Sequence, residues 1–147
     1  MNQNISDAEW EVMRVVWASG AIKSHDIISI LTEKFAWSAS TIKTLISRLV
    51  EKKALGTSRQ GRAYIYEALI DQDRMQELAL STVLDKMCQR KHSKLLMGLL
   101  EDVPMTLEDI DVYCQLLERK KQTAVDQVAC NCLPGQCTVR KRRRING

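Results

Sequence analysis

Between Ser38 and Gly56 the chain reads SASTIKTLISRLVEKKALG, and few structures satisfy its pattern. Ile42, Leu45, Ile46, Leu49 and Val50 recur at the i, i+3, i+4, i+7, i+8 spacing that gathers side chains on one face of a helix. The opposite face collects Thr41, Lys43, Thr44, Ser47 and Arg48, with no acid before Glu51. Solvated helices usually mix both charge signs. An acid-free face of hydroxyls and bases therefore points to a polyanionic partner, against the plainer reading of an exposed structural helix.

The flanking segments extend this helix into a layout. Ser6 and Glu9 have capping-box spacing, Ile5 stands where a hydrophobic staple starts, and Trp10, Met13, Val16 and Trp17 follow at helical intervals until Gly20. A second helix is expected from about Ser24, with Ile27, Ile28, Leu31 and Phe35 inward. After Leu55-Gly56 the period changes: TSRQGRAYIYEAL alternates around a turn at Gln60-Gly61, and Tyr64, Ile65, Tyr66 and Leu69 suit a strand. Three helices and a basic-tipped hairpin are the layout of a winged helix-turn-helix. The expected fold is mainly α with a small β-hairpin wing.

From Asp71 the pattern is helical again. One stripe runs through Met75, Leu78, Ala79, Thr82, Val83 and Met87, and a shorter one through Leu95, Leu96, Leu99 and Leu100. Beyond Pro104, Thr106 and Asp109 form a capping box, and Leu107, Ile110, Cys114 and Leu117 continue a third stripe. The 147 residues include only three Trp, three Tyr and one Phe, so these short helices have little mass with which to bury themselves. A second copy of the chain would cover them, which predicts a homodimer. The expected organisation is a winged-helix DNA-binding domain over residues 1–70, a helical dimerisation domain over 71–127, and a cysteine-containing basic tail over 128–147, irregular and mobile.

Charge follows the same division. The net +4 is unevenly spread, with +5 over residues 36–66, −3 over 71–127, +5 over 128–147 and −3 over the remaining residues. No stretch approaches the roughly 18 apolar residues of a membrane span. The N-terminus lacks a basic region followed by an apolar run, so the expected location is the cytoplasm. There the five cysteines are expected as thiols or metal ligands rather than disulfides.

A helix fits the DNA major groove, where every base pair displays a distinct donor and acceptor pattern. Ser40, Thr41, Lys43, Thr44 and Ser47 stand where a recognition helix meets base edges, and Arg48 can reach a base or a phosphate. Lys52, Lys53, Arg59 and Arg62 suit phosphate neutralisation, the last two from the wing tip. The second motif is Cys130-Asn-Cys132-Leu-Pro-Gly-Gln-Cys137, three thiols that Pro134-Gly135 allows to fold back on one ion. Soft thiolates favour Cu(I) and Zn(II). Cys88 and Cys114 fall within helical stripes and are expected as ordinary buried thiols. The basic run at 140–144 suits either a solvated tail or auxiliary phosphate binding. His25 and His92 stand apart from any nucleophile, and P-loop, H-E-x-x-H, G-x-S-x-G and dinucleotide motifs are absent, so no enzyme is expected.

ISDAEWEVMRVVW at residues 5–17, WSASTIKTLISRLVEKKALG at 37–56 and GRAYIYEAL at 61–69 resemble the BlaI/MecI/CopY family of bacterial repressors. That resemblance implies a dimer on a palindromic operator of double-stranded DNA. In the β-lactam branch release comes from proteolysis. The copper branch ends in C-x-C-x4-C-x-C, with Cu(I) displacing zinc and releasing the DNA. Cys130, Cys132 and Cys137 match the first three positions of that motif, which makes the chain similar to CopY-type repressors of copper-homeostasis genes; the fourth position is Val139. Three thiolates then leave a zinc ligand to be supplied by water, another side chain or a partner chain. The alternatives are a repressor released by proteolysis, a cysteine-based copper buffer and a thiol redox sensor.

Overall fold

The computed structural model describes residues 4–137. Its elements are α1 (Asp7–Ser19), β1 (Ile22–Lys23), α2 (Ser24–Phe35), α3 (Ala39–Glu51), β2 (Leu55–Gln60), β3 (Ala63–Ala68), α4 (Gln72–Asp85), α5 (Gln89–Asp102) and α6 (Leu107–Lys121). The chain divides into two compact units between Glu77 and Leu78.

Local chemistry sets the helix ends in the first unit. The Ser6 hydroxyl accepts from the Glu9 N–H at 3.2 Å, and Glu9 Oε2 accepts from the Ser6 N–H at 3.3 Å, completing the capping box. Gly20, at φ 74°, terminates α1. Helix α2 ends on Ala36 in the left-handed region, and Trp37 then stacks on Phe35 with ring centroids 4.6 Å apart. Ser38 opens α3 by accepting from the Thr41 N–H at 3.2 Å. At its far end Ala54 N–H bonds Leu49 O and Lys53 N–H bonds Val50 O, a Schellman arrangement with Lys53 at φ 60°.

The stripe on α3 is the centre of the core. Ile42, Leu45, Ile46 and Leu49 are buried with Val12, Met13 and Val16 of α1 and Ile27 and Leu31 of α2. Each such side chain contributes about 1.5–3 kcal/mol of transfer free energy. Beside this core lies an antiparallel sheet of order β1-β3-β2, with Ile22 opposite Tyr66 and Leu55 opposite Ala68. The three helices and the β2–β3 hairpin form a winged helix-turn-helix. Two features differ from the sequence expectation. β1 was not expected, because two residues carry no readable period. The turn lies at Gly61-Arg62, one residue later than Gln60-Gly61, because Gln60 pairs with Ala63 and Gly61, at φ 63°, takes the first central position.

A buried charge fastens α1 to α3. Glu9 is only 2% exposed, and its Oε2 lies 2.6 Å from Lys52 Nζ, which also donates to Asn4 O at 2.8 Å. Trp17 Nε1 donates to Ile70 O at 3.0 Å and ties α1 to the chain leaving β3.

In the second unit Thr106 and Asp109 form the expected capping box on α6, and these bonds hold the Asp109 carboxyl below its ordinary value, the backbone bond most of all. His92 Nε2 lies 2.7 Å from Leu84 O and 3.1 Å from Met87 O, at the end of α4. No residue of α5 or α6 is buried. Cys114 corrects the expectation of burial: its stripe, with Ile110 and Leu117, stays exposed because the described residues of the single chain cover it only in part. Among the described residues no helix is long and apolar enough to cross a membrane.

Removing one member of a buried ion pair strands the other. Because Lys52 keeps a third of its side chain in water, Lys52→Met is expected to lower stability by about 1–3 kcal/mol. Lys53→Met is the matched control and should cost less than half as much. Urea unfolding of both variants checks this.

Candidate nucleic-acid interface and metal centre

Burying the apolar stripe of α3 leaves the other face to solvent. Ser40, Thr41, Lys43, Thr44, Ser47 and Arg48 are all exposed. The first turn contains no acid, so the partial positive charge of the helix N-terminus is not offset. Its hydroxyls are held in place by one another: Ser38 Oγ lies 2.8 Å from Thr41 Oγ1 and 3.1 Å from Ser40 Oγ, and Thr44 donates to Ser40 O at 3.0 Å. Arg59 on β2 and Arg62 in the turn are exposed. Arg59 Nε donates to Gly61 O at 3.1 Å, and its guanidinium lies 6.0 Å from the Tyr64 ring centroid. Among the described residues no ion pair engages Lys43, Arg48, Lys53, Arg59 or Arg62. Lys52 is placed differently, turned onto Glu9. The result is an exposed cationic surface made by α3 and the wing.

The thiols form the other site. Cys130, Cys132 and Cys137 come together, and Cys88 joins them: the four Sγ atoms lie within 4.8 Å of one another. Cys88 Sγ is 3.9 Å from both Cys130 Sγ and Cys137 Sγ. The expectation for Cys88 was half right, since it is 5% exposed, yet it is no ordinary core thiol. It stands at the N-cap of α5, in the break between two apolar stripes. Sequence offered a hint in the tail's missing fourth ligand, but not which distant cysteine would supply it. Val139 and the basic run at 140–144 lie outside the described residues.

A Zn–S distance of about 2.3 Å places the sulfurs of a tetrahedral centre about 3.8 Å apart. The 3.9 Å separations fit that geometry and are far from a disulfide bond. Four clustered sulfur donors can hold a thiophilic metal ion. The thiols are also unequal. The Cys132 N–H, 3.4 Å away, favours the Cys130 thiolate and brings that thiol down to about 7. Cys132 is pushed up, first by its interaction with Cys88 and then by burial and the neighbouring Cys130 thiolate.

Through residue 137 the tail is irregular, as expected, and hydrogen bonds join it to the segment between α4 and α5. Gln89 N–H donates to Asn131 Oδ1 at 2.7 Å, Arg90 Nε to Val128 O at 2.9 Å, and Gln136 Nε2 to Lys86 O at 3.4 Å.

With both surfaces described, comparison with known proteins decides the family: the model of the penicillinase repressor family matches residues 5–119. The chain belongs to that family. A Latilactobacillus sakei relative, described as an uncharacterized 16.5 kDa protein, is 40% identical over 137 residues, covering 93% of this chain and 94% of the relative. The penicillinase repressor of Bacillus licheniformis is 32% identical over 117 residues, 80% of this chain and 91% of that protein. Two solved structures are similar to part of the chain. The DNA-binding domain of the repressor BlaI has 40% identity, covers 47% of this chain and 84% of its own, and gives a TM-score of 0.45. The CopR repressor structure has 40% identity, covers 46% and 99%, and gives a TM-score of 0.41. The family is one of transcriptional repressors, not enzymes. Its match ends before Cys130, so the three tail thiols lie beyond it.

Lowering a thiol pKa raises its thiolate fraction at a given pH. In metal-free protein Cys130 is therefore expected to alkylate before Cys132, with its rate rising through about pH 7. Quenched labelling followed by peptide mass analysis checks the order.

Proposed function

We propose that this chain is a homodimeric, metal-responsive transcriptional repressor that binds a palindromic operator of copper-homeostasis genes and is released by Cu(I). The observation that carries this reading is a four-thiol cluster in the same chain as an exposed, acid-free recognition helix. Thr41, Lys43, Thr44 and Ser47, with Ser40 at the helix entrance, meet base edges, and Arg48 meets a base or phosphate. Lys53, Arg59 and Arg62 neutralise phosphates, and Lys52 assists mainly by fixing α3 through Glu9. Cys130, Cys132 and Cys137 provide the tail's share of a site for Cu(I) or Zn(II).

The dimer reading is supported by the second unit. Leu99, Leu107 and Leu117 are each more than half exposed, and α5 and α6 bury nothing within one chain. A second copy supplying the same faces covers them by symmetry. The cytoplasm is where such a repressor meets its operator. Similarity to the Bacillus licheniformis penicillinase repressor favours a second reading, a repressor of the β-lactam branch, for which the sequence resemblance implies release by proteolysis. The thiol cluster has no role in that reading.

A metal shifts an equilibrium only by its differential affinity for the two states, and about 5.5 kcal/mol turns 99:1 into 1:99. Titrating Cu(I) into the repressor–operator complex should release the DNA, while a Cys130→Ser/Cys132→Ser/Cys137→Ser variant should stay bound. Retention of wild-type protein at stoichiometric Cu(I) rejects the sensor role. Arg62→Ala should weaken binding equally on all sequences and flatten the salt dependence by about one phosphate contact. Thr44→Ala should instead act through particular operator bases. Leu117→Asp should yield monomers by analytical ultracentrifugation, with weakened binding to the full operator.

A further inference from the structure

We infer that Cys88 is the fourth metal ligand and makes the centre a clasp, fastening residues 128–137 to the turn between α4 and α5. The inference rests on the metal-binding reading above and adds to it the missing ligand and the place where occupancy acts. The tail offers three thiols, whereas a closed zinc site takes four ligands. Cys114, the remaining cysteine, is exposed on α6 and outside the cluster. Among the described residues, Cys88 at the N-cap of α5 brings a sulfur to within 3.9 Å of two tail sulfurs. No partner chain is needed to complete the site.

Hydrogen bonds and electrostatics both support this juxtaposition. The tail is registered on the turn by hydrogen bonds that do not involve sulfur, from Gln89, Arg90 and Gln136. Asn131 caps α5 from a distance, accepting from the Gln89 N–H where the Cys88 side chain makes no cap bond. The electrostatics also fit. Four thiolates around a divalent ion carry a net double negative charge, and Cys88 sits at the positive end of α5, whose first turn has no acid and includes Arg90 and Lys91. His92 closes the same turn by reaching the Leu84 and Met87 carbonyls. Residues 84–92 are thus one stapled segment, and Cys88 places the metal-binding sulfur inside it.

The consequence is linkage: a ligand that binds only the fastened arrangement stabilises it by RT ln(1 + [L]/Kd). Metal occupancy should be read as rigidity of residues 84–92, not only of the tail. Zn²⁺ alone is the probe, on the full-length protein. Cys88→Ala should lower zinc affinity at least about tenfold, the lower end of what disturbing even a ligand's support does. Adding Val139→Cys to that variant should restore affinity, while Val139→Cys alone should change it little. Hydrogen exchange in residues 86–91 should slow with zinc in the wild type and not in Cys88→Ala. Unchanged affinity in Cys88→Ala overturns the inference. Should that variant fail to fold, the wild type decides: zinc slowing alkylation of Cys130, Cys132 and Cys137 but neither alkylation of Cys88 nor exchange at 86–91 overturns it too. In both cases a DNA-binding response to Cu(I) leaves the sensor reading standing. Absence of zinc and Cu(I) binding alike removes both.

Discussion

Burial of one face of α3 is the constraint on which the N-terminal unit depends. Ile42, Leu45, Ile46 and Leu49 cannot leave the core without exposing the apolar faces of α1 and α2 as well. Because a helix presents opposite faces to opposite surroundings, sinking these four side chains also fixes where Thr44 and Arg48 point. Packing therefore creates the cationic surface without any polar residue having to hold it outward. The Glu9–Lys52 pair adds a second tie: it joins the start of α1 to the end of α3 across 43 positions of sequence. Lys53, in the left-handed region immediately after, then turns the chain into the wing.

The second unit follows another principle. Its helices have sound local chemistry, including the Thr106–Asp109 box and the His92 contacts, but no core of their own within one chain. Its best-defined tertiary feature is polar and sulfur-based, the docking of the tail on the α4–α5 turn. Among the described residues, its thiol cluster and its exposed apolar faces are the features that a ligand or a second surface could fill or cover.

How legible each part was depended on how local its cause is. Both ends of α1 and the start of α6 are decided by residues a few positions apart, as in Ser6 with Glu9 and Thr106 with Asp109, and these are readable. The inward face of α3 was readable because its period is long and uninterrupted. β1 was not, since Ile22 and Lys23 become a strand only by pairing with Tyr66 and Ile65. The role of Cys88 depends on contacts 42 and 49 residues away, which no spacing rule encodes. Lys52 looked like one more base in a basic segment because Glu9 already had an evident use in the capping box. Cys114 misled for the opposite reason: a helical stripe shows that something is to be covered, not that the same chain covers it.

The placement of the aromatic residues has a practical consequence. Trp10 and Trp17 meet edge to face in α1, with centroids 5.6 Å apart, and Trp37 stacks on Phe35, so all three indoles belong to the first unit. Indole emission therefore follows melting of the winged-helix half alone, whereas far-ultraviolet dichroism follows helices in both halves. Two optical signals on the natural protein suffice to tell whether the halves unfold together or in turn.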